Sequence, residues 1–194
     1  MKQQILFIQG GGDGAYKVDQ ELVTFLRSAL GSAYELRYPK MPHENDPNYE
    51  LWKTRILKEL ATVEDAAILI GHSLGGSFLL KYISEEKIET TIAGIFLIAA
   101  PYWGGNGWRY EGYERVALPD DFAAKLPRGT PIFFYHGNND ESVPFSHLAL
   151  YAKKLPRAVI RAVDGGNHQL NDDLSDVVAD IKSLQTPPIS PETL

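Results

Sequence analysis

The chain has 194 residues, 44% hydrophobic and 23% charged, a length and a balance that fit one globular domain. Its formal net charge of −6, with no run of lysine and arginine, argues against a nucleic-acid partner and disfavours a polyanionic substrate. Cysteine is absent, which excludes disulfides, thiolate metal ligands and a cysteine nucleophile together.

Short β-rich runs alternate with longer helical patterns, which predicts an α/β fold. The expected form is a doubly wound, mostly parallel sheet of about six strands with helices on both faces. The first strand is read at Gln4–Gln9 and runs into the glycine-rich stretch Gly10-Gly11-Gly12-Asp13-Gly14. A helix then presents Leu22, Val23, Phe25, Leu26, Ala29 and Leu30 on one face and stops at Gly31, a good left-handed cap. After a strand at Tyr34–Tyr38, a proline-rich acidic segment from Pro39 to Asn48 leads to a helix that sets Trp52, Ile56 and Leu60 four residues apart. Strands follow at Ala66–Ile70, Ile92–Ala99, Pro131–Tyr135 and Val159–Val163. The last helix shows Leu170, Leu174, Val177, Val178, Ile181 and Leu184, with Asn171 or Asp172 as caps. These apolar stripes read as core.

A single domain is expected over residues 1–186, with residues 187–194 as a proline-bearing tail. The run Ile5 to Ile8 is short of a signal-peptide core of roughly 7–15 residues. The longest apolar run, Ile92 to Ala100, is short of the roughly 18 residues of a membrane span. The expectation is a cytoplasmic protein with no membrane partner. Residues 102–126 interrupt the strand–helix rhythm with Tyr102, Trp103, Trp108, Tyr110 and Tyr113. Loops of this length in compact domains tend to carry function. The rings read equally well as a substrate wall near the site, with Tyr102, Trp103 and Trp108 as its candidates, or as a minicore that holds the loop down.

The chemistry-bearing stretch is Ile68-Leu69-Ile70-Gly71-His72-Ser73-Leu74-Gly75-Gly76-Ser77, an apolar strand entering G-x-S-x-G and then an apolar helix. A turn this sharp exposes one serine, and its glycines let neighbouring backbone come close. Serine needs a base to take its proton and a third group to orient that base. His168 follows the strand Val159–Val163, and Asp140 follows Pro131–Tyr135, both where strand ends converge. Asp164 competes with Asp140 for the acid role. Of the other histidines, His72 reads as a packing and turn residue, His136 and His147 as structural hydrogen-bonding residues, and His43 as solvated. No H-x-H or H-E-x-x-H spacing occurs, so neither metal nor cofactor is expected.

The order Ser73, Asp140, His168 resembles the α/β-hydrolase superfamily, as do H-G-x-x-D-x-x-V-P from His136 to Pro144 and G-x-x-H from Gly165 to His168. The resemblance covers nearly the whole chain and is nearest to the compact bacterial serine hydrolases, esterase-like enzymes that begin at the strand before the oxyanion loop. It implies Ser73 as nucleophile, His168 as base and Asp140 as its orienting acid. It also implies backbone N–H groups of Leu74 and Gly11, with Gly12 as alternate, as the oxyanion hole. The implied activity is hydrolysis of a small carboxylic ester or thioester, a small-molecule substrate, through an acyl-enzyme. Two departures stand out: Gln9 occupies a position where many members have histidine, and the usual first two strands and large cap are missing.

Two other readings remain open. Gly10-x-Gly12-x-x-Ala15 satisfies a dinucleotide fingerprint, with Glu35 about 20 residues beyond Ala15. A hydrolase-like binding protein that does no chemistry would also carry these motifs. Oligomeric state is not legible.

Overall fold

A computed structural model describes residues 2–105, 108–109 and 111–184. Tyr110 and the predicted tail lie outside the described residues. The strands are β1 (Gln3–Ile8), β2 (Tyr34–Arg37), β3 (Ala67–His72), β4 (Ile92–Ile98), β5 (Ile132–Gly137) and β6 (Val159–Val163). They form one sheet in the order β2-β1-β3-β4-β5-β6, with every pairing parallel. The chain winds outward from the centre in both directions, so helices cover both faces.

Alternation along the strands divides the core in two. Leu6, Ile8, Leu69, Ile95, Leu97 and Phe134 face α3 (Tyr49–Leu60), α4 (Leu74–Glu85) and α6 (Ser146–Lys154). Ile5, Phe7, Ile68, Ile70, Phe96 and Ile98 face α2 (Gln20–Leu30) and α7 (Ser175–Ser183). Every residue of β3 is buried, as befits a strand covered on both sides. α3 starts where the sequence placed it, with the Asn48 side chain accepting the Leu51 N–H at 3.2 Å.

Two boundaries differ from expectation. Gly31 has positive φ (74°), but its ψ of −165° lies outside the left-handed helical region, and it opens a 3₁₀ turn, Gly31–Ala33. The final helix begins at Ser175. Leu170, Asn171 and Asp172 all have positive φ, of 54°, 57° and 57°, so they form a separate left-handed turn. Asp173 accepts the Ser175 N–H at 2.9 Å, in place of the caps expected at Asn171 or Asp172. The helical spacing of Leu170 and Leu174 misled because both are buried from different elements.

No helix among the described residues is long and apolar enough to cross a membrane.

Candidate active site

The carboxyl ends of β1, β3, β5 and β6 meet at one edge of the sheet, and the site is built from the turns that leave them. At the end of β3 the backbone reverses at Ser73, with φ 50° and ψ −126°. A non-glycine residue there is strained, and the surroundings hold it in place. A Cβ on Gly71 would lie 2.5 Å from the Gly76 Cα, and one on Gly75 would strike the Ile8 carbonyl at 2.6 Å and that of Gln9. The glycines thus let α4 pass directly over the end of β1.

His168 Nε2 lies 2.9 Å from Ser73 Oγ, and His168 Nδ1 lies 2.8 Å from Asp140 Oδ2. His168 is 8% exposed and the Asp140 carboxylate is fully buried. Burial alone would raise the Asp140 pKa. Hydrogen bonds from His136, His168 and the Val143 N–H outweigh that and hold it well below the usual carboxylate range. The Ser142 and Val143 N–H groups both donate to Asp140 Oδ1 at 2.8 Å. His136 Nε2 reaches both Asp140 Oδ2, at 3.1 Å, and the Val143 carbonyl, at 2.9 Å. Its contact to Asp140 adds to the structural role read from sequence. Asp164, the competing acid, faces elsewhere and accepts the Asn138 side-chain amide at 2.7 Å.

The glycine loop after β1 presents its N–H groups unequally. That of Gly10 donates to Asp19 Oδ2 at 2.7 Å, and that of Gly12 to the Glu44 carbonyl at 2.6 Å. The Gly11 N–H has no partner among the described residues. A side chain at Gly11 would collide with Leu74 and lie 3.0 Å from Pro47 Cγ, so the Gly11 backbone lies directly against Leu74. Leu74 opens α4, and the N–H of a first helical residue has no acceptor within its own helix. Of the candidate donors, the N–H groups of Gly11 and Leu74 are without a partner among the described residues and that of Gly12 is committed.

The same loop argues against a dinucleotide. It leads into α1 (Ala15–Val18), a single turn, and the buried Asp19 carboxylate already takes one of the N–H groups a pyrophosphate would need. Glu35 sits within β2, opposite Gln4 of β1, away from that strand's carboxyl end.

The buried Gln9 amide works in both directions. Its oxygen accepts the Met41 N–H at 2.9 Å and its nitrogen donates to Glu44 Oε2 at 2.9 Å. Tyr102, Trp103 and Trp108 lie beyond β4, where Trp103 and Trp108 pack at 5.2 Å and Trp108 meets His147 at 5.0 Å. Tyr102 packs edge-on against Tyr151, and its N–H donates to His147 Nδ1 at 2.9 Å. A pocket of about 500 Å³ has Tyr102 and Trp103, but not Trp108, in its wall, together with Tyr113 and the charged Lys81, Arg109, Glu114 and Asp120. Trp103 Nε1 and His147 Nε2 are buried without a hydrogen-bond partner.

A parallel sheet wound on both faces, with a serine at the strand-to-helix reversal and a histidine and carboxylate from later strand ends, defines an α/β-hydrolase. Solved structures share this fold. The ydeN gene product of B. subtilis matches with a TM-score of 0.72 at 18% identity, over 94% of this chain and 98% of that one. Est1E from Butyrivibrio proteoclasticus matches at 0.69 and 17%, over 94% and 86%, and has also been solved with ferulic acid bound. CumD, a meta-cleavage product hydrolase, matches in a variant form at 0.73 and 15%, over 95% and 91%. A search of curated proteins finds no match. The family model described as serine hydrolase matches residues 23–176, and the chain belongs to that family.

Proposed function

We propose that Ser73, His168 and Asp140 are the catalytic triad of a hydrolase acting on small carboxylic esters. The observation that carries this reading is the unbroken chain from Ser73 Oγ to His168 at 2.9 Å and from His168 to Asp140 at 2.8 Å. Ser73 Oγ attacks the acyl carbonyl as His168 Nε2 takes its proton. Asp140 holds the His168 tautomer and steadies the imidazolium that forms. The N–H groups of Gly11 and Leu74 donate to the tetrahedral oxyanion, each contributing on the order of 10²–10³ in rate. His168 then gives its proton to the leaving alcohol, and water resolves the acyl-enzyme by the same path.

Esters stand ahead of amides because their leaving groups need the least activation. Tyr102, Trp103 and Trp108 favour an apolar or aromatic group on the acyl or alcohol side. The fold-level likeness to Est1E, solved with ferulic acid bound, points the same way.

The test is intact mass after treatment with a fluorophosphonate, together with p-nitrophenyl acetate turnover, on wild type and Ser73→Ala. One adduct and turnover on wild type, both lost in the variant, support the reading. A well-folded wild type that neither labels nor turns over would overturn it in favour of a binding protein.

A further inference from the structure

Next to the triad lies a second acid–histidine pair that the mechanism does not use. Asp19, between α1 and α2, is 1% exposed, and His72, the last residue of β3, is 2% exposed. His72 Nδ1 lies 2.9 Å from each Asp19 carboxylate oxygen. His72 Nε2 lies 3.0 Å from the backbone carbonyl of His168, and the two imidazole rings are 4.9 Å apart. Asp19 Oδ2 also accepts the Gly10 N–H at 2.7 Å.

The partners dictate the protonation state. A carbonyl can only accept, so His72 Nε2 carries a proton. Nδ1 faces a carboxylate, so it donates as well. These partners favour protons on both nitrogens, which would make the ring an imidazolium paired with a carboxylate.

We propose that Asp19 and His72 are positioning residues for the reaction, a buried carboxylate–imidazolium clamp that fixes the oxyanion loop and the base at a set distance from the nucleophile. The clamp acts through the Gly10 N–H on one side and the His168 carbonyl on the other, with Ser73 as the next residue in the chain. It rests on the reading of Ser73, His168 and Asp140 as the triad.

Buried ion pairs contribute little net stability compared with apolar side chains of the same volume. What this pair supplies, and packing cannot, is directional bonds that tie together three separate turns, those after β1, β3 and β6. A displacement of well under an ångström at any of them would misalign attack or oxyanion binding. Burial by itself would make His72 less basic. The charge and hydrogen bond of Asp19, the His168 carbonyl and the more distant charge of Asp140 outweigh it, and the net displacement is upward.

The test compares wild type, Asp19→Asn and His72→Asn in steady-state hydrolysis of p-nitrophenyl acetate and in binding of two ketones. A trifluoromethyl ketone captures serine as a tetrahedral oxyanion, whereas its unfluorinated parent reports ground-state binding. In Asp19→Asn, kcat is expected to fall about 10- to 100-fold with KM within about twofold. The trifluoromethyl ketone should weaken by the same factor and the parent ketone should not. A folded variant with wild-type kcat overturns the proposal, as does a loss of kcat without a parallel loss of trifluoromethyl ketone affinity.

Wild type alone provides an arm that does not depend on a variant folding. Nitrogen-15 NMR of the histidine rings should show both His72 nitrogens still protonated at a pH where a solvent-exposed histidine has lost its second ring proton. A neutral His72 ring overturns the clamp. Wild type that labels and turns over while Asp19→Asn is unaffected sinks the clamp and leaves the triad standing. Wild type without turnover sinks both.

Discussion

The two long loops of this molecule, the proline-rich acidic residues 39–48 after β2 and the aromatic residues 102–121 after β4, are held in different ways. The first is bound into the polar network under the glycine loop. Glu44 alone takes the Gln9 amide at 2.9 Å and the Tyr16 N–H at 2.7 Å through its side chain, and the Gly12 N–H at 2.6 Å through its carbonyl. Met41 is 1% exposed, and the Pro42 carbonyl accepts the Trp52 indole N–H at 2.7 Å. The described residues of the second loop bond to one another and to α4 and α6, through Lys81 Nζ to the Ala117 carbonyl at 2.9 Å and the Tyr102 N–H to His147. The Gly104 N–H donates to the Trp108 carbonyl at 2.8 Å, and Arg109 Nε donates to the Gly104 carbonyl at 3.1 Å. Beside it, the indole N–H of Trp103 and the Nε2 of His147 have no partner. Buried polar groups are nearly always paired, so these two unpaired nitrogens set the second loop apart from the first, whose Met41, Pro42 and Glu44 are spent on holding β1, α3 and the glycine loop.

Breaking the first loop should have the largest effect. Glu44→Ala removes the side-chain hold on Gln9 and Tyr16 and lets the Gly10–Gly12 segment shift. The expected loss is about 10- to 100-fold in kcat on p-nitrophenyl acetate, with KM nearly unchanged. An unchanged kcat would mean that the loop does not support the oxyanion donors.

Breaking the second should change selectivity. Trp103→Ala removes an aromatic contact worth about 0.5–1.5 kcal/mol. KM for aromatic acyl esters should rise about 3- to 10-fold while acetate esters keep their KM. A uniform change across both ester series would return these rings to the minicore reading.

His147 sharpens the comparison through pH. Burial, with His136 acting in the same sense and Asp140 opposing, pushes its pKa down to about 4. An unfolded histidine titrates near ~6.5, so between about pH 6.5 and 4 the unfolded chain takes a proton that the folded chain refuses. The His147 contribution to stability is complete above that window and lost as pH falls through it. The Tm should decline on acidification there, and His147→Asn, whose side-chain oxygen can still accept the Tyr102 N–H, should decline less. Equal slopes would show that His147 is not held neutral. For His72 the sign is reversed, because its folded pKa is raised. Its contribution is complete below about 6.5 and fades as pH rises through the folded value.

The smallest effect is expected at the rim of the first loop. Lys40 pairs with Glu44 at 3.2 Å but its side chain is 63% exposed, so Lys40→Ala should cost less than about 1 kcal/mol in denaturant unfolding and leave kcat alone.

Strand period and motif spacing were enough to read the sheet, and to place Ser73, Asp140 and His168 on turns that the fold brings together. Both signals are local or family-wide. The supporting layer was not legible, because its contacts are long-range and have no spacing of their own. Asp19 meets His72 from 53 positions away, and Glu44 meets Gln9 from 35. His72 reads as a packing and turn residue because nothing near it in sequence announces a buried carboxylate. Gln9 registered only as a departure from the family pattern, although its amide serves an acceptor and a donor at once. The start of α7 was misplaced because two buried leucines four residues apart satisfy helical spacing even when a left-handed turn separates them.

The reversal at Ser73 also sets stability against activity. A non-glycine residue held at such a φ and ψ costs the fold about 1–3 kcal/mol. Glycine at the same position would relieve that strain, against about 0.4–1 kcal/mol from a more flexible unfolded chain and about 0.5–1.5 kcal/mol for the lost bond to His168. Ser73→Gly should therefore unfold at a denaturant concentration no lower than wild type while hydrolysing nothing. Selection for robustness alone would drift toward that inert form, so a serine at this position marks a chain selected for what it does to its substrate.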